Sequence, residues 1–315
     1  MQKLRYMAIK LNTRSLMECV FFIKEIKYFA LLLCLIFYPL YAEDLSQILK
    51  QIPEKDLEDI RDLFSHFIYK NHFAYTLFGE KAVSLACCTI SEPSEFRIPK
   101  KLKRKPIQIA NNTLGVKWEK WKQYQSLFPI KKYLIIEETA WFSPYIRHIL
   151  LINKDQFVKV FNKNQAIFHR ELGDQVTGEG LLAQIEKQGK LRSIIKHSEL
   201  LFGILLGYGE HNVALYNKRK HLQDLYDQYK YVLIKNAPTI KELDQQADEL
   251  TDVLQPCGEY GYSLLPIPST YFVADPQSKE TLALKRKYQT LREKASAIYT
   301  RGDVLEITLS TLIQD

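Results

Sequence analysis

The chain has 315 residues, 46% hydrophobic and 25% charged, with 44 Lys and Arg against 36 Asp and Glu, a formal net charge of +8. That balance excludes wholesale disorder, which needs low hydrophobicity with high net charge. With 12 Gly and 12 Pro it also excludes collagen-like or proline-rich architecture, and the length allows one large or two medium domains.

The first feature in chain order is an export signal. Tyr28 to Ala42 is a run without charge, preceded by Lys24 and Lys27 and followed by Glu43 and Asp44. A basic region, a short apolar run and a small residue before an acidic start predict a secretory signal peptide over residues 1–42. Initiation at Met7 or Met17 would shorten the leader. The run is short for a membrane span, which needs about 20 residues, so an uncleaved N-terminal anchor is the alternative. The expected destination is the periplasm or the exterior. Residues 1–42 hold six basic and two acidic side chains, so half of the +8 belongs to the leader.

Beyond Ala42, the pattern predicts a helix over Pro53–Lys70. Leu57, Ile60, Phe64, Phe67 and Ile68 share one face, and Glu54, Asp56, Glu58 and Asp59 complement its N-terminal dipole. Phe73–Phe78 and Val83–Ile90 read as a hairpin turning at Gly79-Glu80-Lys81. Cys87 and Cys88 lie in its second arm. One of them could bridge to Cys257 in an oxidising compartment, or both could be buried strand residues.

Residues 91–111 read as irregular and as a domain seam or insertion. Lys100, Lys101, Lys103, Arg104 and Lys105 cluster there beside Pro99 and Pro106. Nucleic-acid binders spread such charge over a face or along a helix, so nucleic acid is not the expected partner. The clump reads as a solvated loop or as a contact for an anionic membrane surface.

Next come a helix over Thr113–Leu127 with Trp118 and Trp121, and strands Tyr133–Glu138 and Arg147–Asn153. The run Ile149-Leu-Leu-Ile152 suits a buried strand. Helices are expected over Lys154–His169, from Thr177 to Lys187, and over the apolar Leu191–Gly207. Gly207-Tyr208-Gly209 breaks the last. A helix Glu210–Tyr229, a loop Gly258–Ala274 and a helix from Asp275 to Tyr299 complete the reading. The predicted fold class is α+β: a mostly helical body with a short antiparallel hairpin and a small mixed or antiparallel sheet, residues 43–315 forming one globular domain.

No motif with chemistry is complete. His197-x-Glu199 and Pro256-Cys257 match half of a zinc deaminase signature, but Tyr260 stands where the second thiolate is needed. No His-x-x-x-His, Cys-x-x-Cys or Gly-x-Ser-x-Gly occurs, so neither metal nor cofactor is expected. Gly173 and Gly178 are followed by Glu179-Gly180, not by the Lys of a phosphate loop. Glu137 and Glu138 at a strand end should point to opposite faces. Arg301-Gly302-Asp303 reads as a turn after a helix rather than an adhesion signal.

Two stretches, Tyr75-Thr-Leu-Phe-Gly-Glu-Lys-Ala-Val-Ser84 and Gly203-Ile-Leu-Leu-Gly-Tyr-Gly-Glu-His-Asn212, resemble an uncharacterised family of predicted exported proteins of chlamydia-like intracellular bacteria. Ala82 departs from that pattern, which has Pro there. The resemblance implies export but no activity or catalytic residue.

The leading expectation is an exported, non-catalytic envelope or extracellular protein acting through contacts with an envelope or host protein. The alternative is an exported hydrolase with a dispersed site near residues 191–212, drawing on His197, Glu210 and His211. A third reading is peripheral membrane contact through Lys100–Lys105.

Overall fold

A computed structural model describes residues 45–89, 107–140, 143–232, 237–257 and 265–314. The predicted signal peptide, the Lys100–Lys105 clump and the seam up to residue 106 lie outside the described residues. The chain divides into two compact units, Met1–Ile52 and Pro53–Asp315. Residues 45–49 of the first are helical; everything below concerns the second.

The second unit is α+β and mostly helical, with a three-stranded and a two-stranded antiparallel sheet. Helix α1 (Glu54–Tyr69) starts after Pro53 and buries Ile60, Leu63, Phe64, Phe67 and Ile68. The expected hairpin does not form. Phe73–Leu77 is a short helix, α2, in which every residue is buried. Its aromatic and β-branched residues imitate a strand, since a fully buried segment has no polar face to reveal a period. Thr76 and Ser84 share a 2.7 Å hydroxyl contact, and Ser84 donates to the His72 carbonyl at 2.7 Å. These bonds hold α2 against strand β1 (Val83–Thr89).

The β1 partner is instead β3 (Ile146–Asn153), with Val83 opposite Ile152. The true hairpin is β2 (Tyr133–Thr139) with β3. Sheet order β1-β3-β2 puts Ile149-Leu150-Leu151-Ile152 in the centre, all at most 1% exposed. Such a run needs cover on both faces. On one face Val83, Ile136, Leu150 and Ile152 join a core with Phe157, Phe161, Phe168, Leu201 and Leu205. On the other, α3 (Ile107–Tyr124) packs against β1 and α1. It begins six residues before the expected Thr113, so residues 107–111 are helical rather than irregular. Phe64 meets Trp121 edge-on with centroids 4.9 Å apart; such pairs add about 0.5–1.5 kcal/mol beyond burial.

Two predicted helices are each interrupted. Asn164 separates α4 (Lys154–Lys163) from α5 (Gln165–Leu172). Lys196 and His197, with φ of 53° and 56°, separate α7 (Leu191–Ile194) from α8 (Glu199–Leu205). Between these pairs α6 (Gly178–Gln188) has the expected Thr177 cap, whose hydroxyl accepts from Gly180 N–H. The glycine break holds as read: Gly207 and Gly209 have φ of 78° and 88°.

After it run α9 (Glu210–Val232) and α10 (Ala237–Val253), then β4 (Gln255–Cys257) paired with β5 (Phe272–Ala274). The α11 helix (Lys279–Tyr299) is capped by Ser278, and α12 (Val304–Ile313) by Asp303. The α10, β4 and α12 elements fall where the sequence pattern predicts none, and β5 falls inside the expected loop Gly258–Ala274. Among the described residues no helix is long and apolar enough to cross a membrane.

Candidate functional site

The residues proposed for a dispersed site fall into two groups. The first surrounds α7. Glu138 lies on the β2 face that points toward α7, and its carboxylate accepts backbone N–H groups from Leu191 and Arg192. It is a buried cap at the start of α7. Burial pushes its carboxyl above the ordinary range, against the pull of those N–H groups. Glu137 points to the opposite face, as alternation requires. There it accepts from Trp118 at 2.6 Å, Lys122 at 2.8 Å and Arg147 at 3.0 Å. Both acids therefore serve the fold.

Arg192 forms a two-pronged ion pair with Glu199 at 2.7 and 3.2 Å and lies 4.4 Å over the Phe202 ring. This bridge spans the left-handed turn that holds His197. The His197 N–H donates to the Arg192 carbonyl at 2.7 Å, and its side chain is exposed. His197 is thus a turn residue.

The second group joins α9 to α11. Glu280 accepts from the N–H groups of Glu210 and His211 at 2.9 and 3.0 Å. The His211 ring lies 3.3 Å from Asp275. Buried Asn212 accepts from Asp275 N–H and Thr281 hydroxyl, each at 3.0 Å, and donates to the Tyr208 carbonyl at 3.0 Å. The Gln277 N–H, then His211, holds the Asp275 carboxyl below its ordinary range. His211 and Glu210 share this acidic corner, whereas His197 answers to Glu138. The two histidines have different carboxylate neighbours among the described residues.

The structure brings together the two stretches that carried the motif resemblance. Lys81, from the first, is 2% exposed, and its ammonium lies 5.7 Å over the ring of Tyr208, from the second. Gly207 passes beside the Lys81 stem and accepts from the Tyr288 hydroxyl at 2.7 Å. Aromatic rings complete the enclosure. Tyr208 stacks on Phe272 at 5.5 Å, and Tyr288 meets Tyr75 at 5.6 Å. No carboxylate reaches Lys81 among the described residues, so burial lowers its pKa to about 7. Burial, then the nearby Lys81 charge, pushes His72 down to about 3. Burial raises the hydroxyl pKa of Tyr75, Tyr208 and Tyr288. Sequence reading missed this cluster because nothing local marks Lys81 as buried.

Two cavities flank the enclosure. One, of about 520 Å³, opens between α4, Gly207–Gly209 and α11, with Lys159, Lys163 and Lys287 facing Glu80, Glu210 and Glu280. Lys287 pairs with Glu80 at 2.8 Å. The other, of about 300 Å³, is walled by Tyr75, Phe272, Tyr288 and Arg292.

Cys87, Cys88 and Cys257 are free thiols here, with Cys87 exposed and the other two buried. Burial raises the Cys87 thiol and pushes Cys88 up to about 12, so neither is an activated nucleophile. No cluster of metal-ligating side chains occurs among the described residues. Asp303 of the Arg-Gly-Asp turn caps α12 through Leu305 and Glu306 N–H and pairs with Arg61 at 3.1 Å. Compared with known proteins, the chain matches no family model, no curated protein and no solved structure.

Proposed function

We propose that this is an exported envelope or extracellular protein that acts without catalysis, through contacts made by the α9–α10 helix pair. One observation carries this reading. Of the described side chains of α10 only Ala247 is buried, and from residue 214 onward in α9 only Leu222 is. Helices that bury so little add little to a core. Tyr216 and Val253 are large apolar side chains left 41% and 43% exposed on this pair, as residues at a contact surface would be. His197 is an exposed turn residue and the His211 ring pairs with Asp275, which favours the contact reading over the hydrolase alternative.

The test places a photo-crosslinking residue at Tyr216 or Val253 and irradiates envelope extracts. The reading expects one dominant cross-linked partner, lost when excess unlabelled protein competes and kept when the competitor has residues 214–253 replaced by a short Gly/Ser linker. Turnover of a hydrolase substrate panel, without a cross-linked partner, would overturn it. A reporter fused after Ala42 should appear outside the cytoplasm.

A further inference from the structure

The 520 Å³ cavity lies between two walls of opposite charge. Its volume falls in the range of about 300–1,000 Å³ that suits small organic ligands. One wall is α4, where Lys159 and Lys163 stand one helical turn apart and so share a face. Both are exposed. The other wall is built from the starts of α9 and α11, which bring Glu210 and Glu280. Glu280 is fixed there, because its two oxygens accept the N–H groups of Glu210 and His211 at 2.9 and 3.0 Å. Glu210 is exposed beside it.

Lys287 and Glu80 also line the cavity, but they pair with each other at 2.8 Å. Lys287 holds the Glu80 carboxyl below its ordinary range, and Lys159 adds a weaker pull. Beyond that pair, two cations on α4 stand across from two carboxylates. Val160, Ile204 and Leu284 line the space with apolar surface, and Gln156 adds a side-chain amide. A ligand that matches this lining carries an anion at one end, a cation at the other and a partly apolar body with amide groups between. A short peptide with free termini has that chemistry. A free amino acid has the same two charges on one carbon and does not separate them.

We propose that this cavity binds a short unblocked peptide, its terminal carboxylate held by Lys159 and Lys163 and its terminal ammonium by Glu210 and Glu280. This site is independent of the contact surface assigned to the α9–α10 pair, which begins at residue 214.

The test is calorimetric titration of the full chain at about pH 7, where both peptide termini are charged. The ligands are the tripeptide alanyl-leucyl-alanine, its N-acetylated form, its C-terminal amide and free leucine. The expected result is saturable one-to-one binding of the free tripeptide, with each of the other three weaker by about tenfold or more. Lys163→Glu and Glu210→Lys, both at exposed positions, should each weaken tripeptide binding by about tenfold or more. Lys285→Glu, exposed at the other cavity, should leave it unchanged. Absence of tripeptide binding, equal binding of a blocked form or of leucine, or equal losses in Lys163→Glu and Lys285→Glu would each overturn the proposal.

Discussion

The Glu138 carboxylate accepts the backbone N–H of Arg192 at 3.0 Å, across 54 residues of chain. It ties the end of β2 to the start of α7, where helix N–H groups have no partner of their own. Removing the carboxylate leaves buried donors unsatisfied, which costs about 1–3 kcal/mol per site. Glu138→Ala should therefore lower stability by about 2–3 kcal/mol in urea unfolding. Glu138→Gln keeps an acceptor and should recover at least half of that loss. Equal losses would mean that the carboxylate does not cap α7.

The left-handed backbone at His197 leads to an opposite expectation for a residue suspected of catalysis. Non-glycine residues in this conformation cost about 1–2 kcal/mol, and the exposed His197 ring has little packing to lose. His197→Gly should be neutral or slightly stabilising. His197→Val should destabilise by about 1–2 kcal/mol, because β-branched side chains tolerate positive φ poorly. Thermal unfolding of both variants checks the order. A clear loss of stability in His197→Gly would show that the side chain itself matters.

Asn212 is the knot between the glycine break and α11. Its side chain serves three partners at 3.0 Å while 1% exposed. Replacing it with Leu removes two acceptor contacts and one donor contact together. A loss of about 2–4 kcal/mol is expected from the orphaned groups. Hydrogen exchange should speed up at residues 208–213 and 275–281 before the β1-β3-β2 sheet is affected. Uniform acceleration over the whole unit would contradict that local role.

Lys81 and His72 give stability a definite pH dependence. His72 is held at about 3 against an ordinary 6.5, and Lys81 at about 7 against 10.5. In both windows the unfolded chain binds a proton that the folded chain refuses. Stability therefore rises with pH, from about 3 to 6.5 through His72 and from about 7 upward through Lys81. Above pH 10 the raised hydroxyls of Tyr75 and Tyr288 reverse the trend. Lys81→Met should flatten the second rise and stabilise the protein at pH 6 by about 1–4 kcal/mol, as when a buried charge gives way to an apolar side chain. Urea midpoints between pH 4 and 9.5 test this; a Lys81→Met profile parallel to the parent would refute it.

Much of the fold is legible along the chain where local chemistry acts alone. Thr177 and Gly180, the Gly207–Gly209 break, the apolar face of α1 and the run Ile149–Ile152 all behave as their sequence spacing demands. The misreadings share a cause. Phe73–Leu77 looks like a strand because total burial erases the polar face that would show a helical period. Leu191–Gly207 looks like one helix because nothing local announces that Arg192 reaches Glu199 over a left-handed turn. The candidate histidines lie near each other along the chain, but the His211 ring meets Asp275, 64 residues away, while His197 is exposed in a turn.

By itself the sequence determined a mostly helical α+β body, its caps and glycine breaks, and the outward or inward face of its amphipathic elements. These depend on backbone propensity and on spacing within a few residues. Only the tertiary structure decided that β1 pairs with β3, that Glu138 caps a helix, and that Lys81 lies buried among Tyr208, Phe272 and Tyr288. Each of these is settled by desolvation and by partners dozens to hundreds of residues away, so no local window of the chain contains the energy that selects it.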